Sequence, residues 1–205
     1  KLPATGVRSV RVALAAIEAA RKANGDSGLW HEISPAEMIH PADIPRFAQL
    51  GAVAEMCPIL WYPSALHTMM ENVLGKERAG RFWQVRTLTE SGALVNYGSD
   101  WPSVVPSANP WPGIEAMVTR KDPYGRNPGV LSGRETLPLE EVLAIFTING
   151  ARSVYMEQET GSLKVGKYAD FIVLDRHLFE IEPDTLGDTR VLRTVFRGDT
   201  VHLAP

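Results

Sequence analysis

The sequence has a single cysteine, Cys57, among its 205 residues. That count excludes a disulfide framework and any cysteine-rich zinc module. No apolar run approaches the roughly 18–20 residues of a membrane-crossing helix. Positive charge is not in excess: 21 Lys and Arg stand against 24 Asp and Glu, a formal net charge of −3, which gives no electrostatic footprint for nucleic acid. No two of the five histidines have H-x-H or H-E-x-x-H spacing. A phosphate-binding loop is also missing. The run from Gly161 to Lys167 lacks the G-K-[ST] ending and leads into a strand rather than a helix. There is no internal repeat and no low-complexity tract. What is present is a chain 44% hydrophobic and 22% charged, with 17 Gly and 15 Pro, enough apolar residues for a globular core.

Lys1-Leu2-Pro3-Ala4-Thr5-Gly6 has no initiator Met, no signal-peptide core and no transit-like segment. It reads as the interior of a longer chain. The cytoplasm is the default compartment, which a leader ahead of Lys1 would change.

Apolar spacing predicts a helix from about Ser9 to Ala23, stopped by Asn24-Gly25. Leu29–Ile33 and Ala52–Met56 read as strands. Asp43 is a candidate N-cap for a short helix ending near Gly51. Met69 to about Ser91 is helical in pattern, with breaks expected at Gly75 or Gly80, and Met69 and Met70 are expected in the core. The next strand, Gly92–Tyr97, ends at Gly98-Ser99-Asp100-Trp101-Pro102. A helix near Ile114–Thr119 and an amphipathic one from Leu139 to Ile148 follow. After Met156 the pattern turns to β, with a hairpin expected at Gly198-Asp199. Alternating helix and strand up to about residue 156 implies parallel βα units, whose chemistry sits at the C-terminal ends of the strands.

Asp100 is the leading candidate at those ends. A carboxylate there can bind a metal or take a proton from water. It can equally be an Asx-turn residue. His31, inside a strand, reads as a core residue. His40 reads as surface, and His177 and His202 as structural. His67 follows a Trp-containing loop and is a candidate pocket residue. Trp61, Trp101 and Trp111 lie in Pro-containing loops, where they line a substrate cleft or pack. Cys57 reads as a buried, inert thiol.

Gly161-Ser162-Leu163-Lys164-Val165-Gly166-Lys167-Tyr168-Ala169-Asp170, followed by Phe171-Ile172-Val173-Leu174, resembles the G-x-L-x-x-G-K-x-A-D segment near the C-terminus of the amidohydrolase superfamily. The run from Asp43 to Gly51, the Gly98-Ser99-Asp100-Trp101-Pro102 turn and Thr147-Ile148-Asn149-Gly150-Ala151 are similar, in the right order, to segments of its family 3 branch. The resemblance implies an α/β fold: the C-terminal half of a (β/α)₈ TIM barrel over residues 1–156, about strands 5–8, and part of a small β-sandwich domain over 157–205. A whole barrel takes about 250 residues. The implied activity is hydrolysis of amide C–N bonds in a small-molecule substrate by metal-bound hydroxide. The implied cofactor is a divalent metal, zinc first, with Asp100 as last-strand ligand and base. Trp61, His67 and Trp101 would contact substrate.

The departures from the family pattern are specific. The first-strand H-x-H is absent. Pro3 and Pro35 stand where two histidine ligands are expected, and Val7 where an aspartate often stands. Proline offers a metal no donor. Two other readings therefore stand beside the enzyme: a fragment or pseudoenzyme without a working metal centre, and a βα scaffold that binds an apolar ligand. Open sheet edges predict a homo-oligomer, or association with missing chain segments.

Overall fold

The computed structural model describes residues 1–103 and 107–205, so the 104–106 part of the Ser103–Gly113 loop lies outside the described residues. The elements in chain order are β1 (Leu2–Pro3), α1 (Val7–Asn24), β2 (His31–Ser34), α2 (Ile44–Gln49), β3 (Ala52–Met56), α3 (Ala65–Leu74), α4 (Lys76–Ala79), α5 (Val85–Glu90), β4 (Leu94–Tyr97), α6 (Trp111–Thr119), α7 (Leu139–Ile145), α8 (Ile148–Ser153), β5 (Phe171–Leu174), β6 (Val191–Phe196) and β7 (Asp199–Leu203). No described helix is long and apolar enough to cross a membrane.

Strands β1–β4 form one sheet in the order β1-β2-β3-β4. All its pairs are parallel, and Leu2, Ile33, Ala54 and Val95 lie in one row across it. Helices cover one face. In α1, Val10, Leu14 and Ile17 share a buried stripe at helical spacing. Arg21 and Lys22 in its last turn suit the negative end of the helix dipole, and Gly25, at φ +79°, lets the chain leave. Phe47 of α2 and Leu88 of α5 are fully buried in the same core. Strands β5–β7 form a separate antiparallel sheet.

Five expectations are corrected. The stretch expected helical from Met69 begins earlier, at Ala65, and is three helices; the break expected at Gly75 is found there, at φ +79°. The Leu139–Ile148 helix divides into α7 and α8 at Thr147, which has non-helical φ −132° and ψ −93°. Met69 is exposed and Met70 only partly buried, since α3 has no fully buried residue. Asp43 makes no capping bond. Its buried carboxylate instead pairs with Arg11 at 2.7 Å and Arg46 at 2.9 Å. The hairpin turn is Arg197-Gly198, one residue earlier than expected. Both residues have positive φ, +50° and +90°, which fits the two-residue turn of type I′.

The Gly161–Asp170 segment is structural. Lys167 Nζ donates to the Glu157 and Thr160 carbonyls and, at 2.8 Å, to Ser162 Oγ. Asp170 accepts from Thr160 Oγ1 at 2.8 Å and from the Arg197 N–H at 2.7 Å. The segment thus ties the entry of β5 to the β6–β7 turn.

Candidate active site at the strand ends

The C-terminal ends of β1–β4 open onto a cavity of about 570 Å³. Pro3 ends β1, Ser34 ends β2 with Pro35 just after it, and the Gly98-Ser99-Asp100 turn follows β4; all line it. Asp100 has φ +54°, and its carboxyl is exposed to solvent. Its carbonyl accepts from the Ser103 N–H at 2.8 Å, and Ser99 Oγ accepts from the Trp101 N–H at 3.2 Å. These short-range bonds hold the turn.

Side chains alternate along a strand, and the face opposite the Ile33–Ala54–Val95 row is polar. Lys1 Nζ donates to Glu55 and sits 3.1 Å from Glu32. Ser34 Oγ donates to Glu55. Asn96 Nδ2 donates to Glu32 at 2.9 Å and to Ser153 Oγ of α8 at 3.0 Å. Burial pulls the Lys1 ammonium down, but its bonds to Glu55 and Glu32 outweigh that and hold it above the usual lysine value. Burial pushes Glu32 up, and the Asn96 and Lys1 contacts more than reverse it. Glu55 also explains Gly98: a Cβ at that position would overlap the Glu55 carboxylate.

Two further groups feel the charge of Asp100. Glu37 accepts a long bond of 3.4 Å from Trp83 Nε1. Burial, helped by the Asp100 charge, pushes its carboxyl above the ordinary value. Burial and the charges of Glu55, Asp100 and Glu37 push the Cys57 thiol up to about 12, so it is no thiolate nucleophile at neutral pH.

The donor set does not fit a metal. Among the described residues no group of three or more His, Cys, Asp or Glu side chains is placed to hold one. Pro3 and Pro35 bring carbon rings to the cavity where the resemblance expects imidazoles. His31 opens β2, at the far end of the strand from Asp100.

The substrate candidates do not converge. Trp101 is 55% exposed beside Asp100. Trp61 is fully buried, its ring 6.2 Å from that of Trp83, with the Arg120 guanidinium 4.8 Å above it; no face is left for a ligand. Trp111 is buried at the start of α6. His67 lies in the first turn of α3, where Ser64 caps the helix, and its Nε2 is buried without a hydrogen-bond partner among the described residues. His40 Nδ1 accepts from the Ala42 N–H at 3.2 Å, and His177 and His202 are exposed on the tail. Lys1, Glu32 and Glu55 were not candidates from sequence. The signal available for Glu55 was a charged residue inside an otherwise apolar strand, β3; β2, which reads His31-Glu32-Ile33-Ser34, carried no such contrast for Glu32.

A model of the amidohydrolase family matches residues 1–202. The chain is 32% identical over 80% of its length to Protein LONG AFTER FAR-RED 3 of Arabidopsis thaliana, covering 27% of that protein. It is 28% identical over 58% of its length to the N-substituted formamide deformylase of Arthrobacter pascens, covering 21% of it. Among solved structures, an uncharacterized metal-dependent hydrolase from Pyrococcus furiosus superposes with a TM-score of 0.62 at 26% identity, over 82% of this chain and 31% of that one. The chain thus spans about a quarter of the length of these curated relatives.

Proposed function

The chain belongs to the amidohydrolase family, and from that membership we propose that it is the strand 5–8 part of a (β/α)₈ hydrolase barrel, contributing Asp100 to a site that hydrolyses amide C–N bonds. In this reading residues 1–156 are the barrel units and 157–205 belong to a small β-domain. One observation carries the proposal: Asp100 sits on the turn after β4, at the mouth of the strand-end cavity, where barrel enzymes keep their chemistry. The exposed carboxylate is placed to take a proton from an attacking water. Trp101 beside it is an exposed aromatic. The relatives' names point to the bond class: the Arthrobacter protein is named for an N-substituted formamide.

The family implies a divalent metal, with zinc as first expectation. The residues described here supply no ligand set for it, so no step runs through a metal. Pro3 and Pro35 favour a second reading, a non-catalytic relative that keeps the scaffold and has lost the centre.

One experiment separates the two. The chain is purified, dialysed and assayed on a panel of N-formyl and N-acyl amides, with metal content read by elemental analysis. The hydrolytic reading expects turnover that falls by on the order of a hundredfold or more in Asp100→Asn, the scale of lost acid–base catalysis. Equal rates for the two proteins would overturn it and leave the non-catalytic scaffold. One tightly held metal per chain would overturn the assignment of a metal-poor centre.

A further inference from the structure

Far from the strand-end cavity, a carboxylate is held under the backbone of another segment. Glu115 lies on α6 and is 3% exposed. The turn Pro183–Asp188 packs along α6, with Leu186 fully buried between them. Glu115 Oε2 accepts from the Gly187 N–H at 2.6 Å. The approach is close: a Cβ on Gly187 would lie 2.9 Å from that same oxygen, so the Glu115 carboxyl would have to shift.

Glu115 has no cation of its own among the described residues. Asp184 and Asp188 face it from the turn, and Asp122 from the loop after α6. Lys121 is taken by Asp184 at 2.6 Å. The Asp122 carboxylate accepts from the Tyr124 N–H and from both nitrogens of Asn127, and Arg126 Nε lies 3.7 Å from it. Arg176 pairs with Asp175. The Pro58–Leu60 turn, which also packs on α6, has no titratable side chain, and Glu140 and Glu141 of α7 are exposed. A cavity of about 460 Å³, lined in part by Glu115, Asp122 and Asp184, adjoins the contact.

We propose that Glu115 and the Pro183–Asp188 turn form a proton-controlled latch, closed when Glu115 is protonated and loosened when it is ionised. An uncompensated charge among three aspartates is costly to bury. A neutral carboxyl keeps the Gly187 bond without that cost. Burial is the largest cause, the Gly187 bond opposes it, and the aspartates add to it; together they push the carboxyl up to about 7. The sign follows. The closed state holds the proton more tightly than the open one, so closure is strongest below the ordinary carboxyl value and weakens as pH rises through about 7. The latch holds down the helix that follows Asp100 and that packs on the turn after β3. It is independent of the hydrolytic reading.

Amide hydrogen exchange of residues 185–189 in the intact chain tests this, corrected for intrinsic chemistry and run where the opening equilibrium sets the rate. If opening returns Glu115 to its ordinary value, opening rises about tenfold between pH 6 and pH 8. Glu115→Gln keeps an acceptor for Gly187 and should show no such rise. A flat wild-type profile overturns the latch, as does a tenfold rise that persists in Glu115→Gln. Should that variant fail to fold, carboxyl-carbon NMR of the wild type decides: titration at the ordinary glutamate value overturns the latch, and titration near neutrality supports it.

Discussion

The two sheets have similar β-forming sequences and opposite burial. In the parallel sheet Ile33, Ala52, Val53, Ala54, Met56 and Val95 are buried. In the antiparallel sheet Phe171, Ile172, Val173, Leu192, Phe196, Val201 and Leu203 are all more than a third exposed, and Val195 is buried. The difference lies in what packs on them. Helices α1, α2 and α5 pack on the parallel sheet, whereas β5–β7 pack on one another. β-Propensity selects residues that suit a pleated surface; burial needs a second layer. Stability should therefore concentrate in the parallel half, and the antiparallel half should tolerate change or seek a partner.

The largest expected effect is at Phe47, fully buried where α2 meets the parallel sheet. Phe47→Ala should cost about 3–5 kcal/mol, read as a fall in denaturant midpoint with unchanged slope. A loss below about 1 kcal/mol would remove the claim that this half holds the stability. Asp43 comes next. It is buried between Arg11 and Arg46 and binds both. Asp43→Ala should cost about 1–3 kcal/mol, because Arg11 loses its carboxylate partner, whereas Arg46 retains Glu18 at 2.9 Å. Asp43→Asn keeps the acceptor oxygen and should recover part of the loss.

The same contrast shows how much of the molecule was legible in its sequence. Helix α1, strand β3 and the turn after β4 follow from apolar spacing and glycine placement, because local periodicity and the buried face agree there. Asn149 donates to the Val95 carbonyl at 3.0 Å and ties α8 to β4. Tertiary partners decided the rest. Asp43 abandons its cap for two arginines that come from 32 residues upstream and three downstream. Trp61 sits in a Pro-containing loop and looks available, but Trp83 and Arg120 enclose it. The Lys1–Glu32–Glu55–Asn96 network joins four separate segments, and no local pattern announces which polar strand residues meet across a sheet. Pro3 and Pro35 were visible from the start, and the structure adds that both rings face the Asp100 cavity.

In the antiparallel half, effects should be smaller. Gly198 takes φ +90° in the β6–β7 turn, a conformation a side chain rarely adopts. Gly198→Ala should cost about 1 kcal/mol. Gly198→Asn should cost less, because asparagine tolerates that region.

The smallest effect should come from the most hydrophobic change. Leu203 is 71% exposed and Val201 61% on the outer strand β7. Leu203→Ser with Val201→Thr removes apolar surface that water already reaches, so monomer stability should change by no more than about 0.5 kcal/mol. Association is a different matter. β7 has an unpaired edge among the described residues and apolar side chains around it, the conditions under which strands recruit another chain. Sedimentation should show self-association of the wild-type chain and a shift toward monomer in the double variant. A double variant that loses several kcal/mol would mean that β7 is covered by more than β6, and the division of the molecule into a self-sufficient half and a dependent half would have to be redrawn.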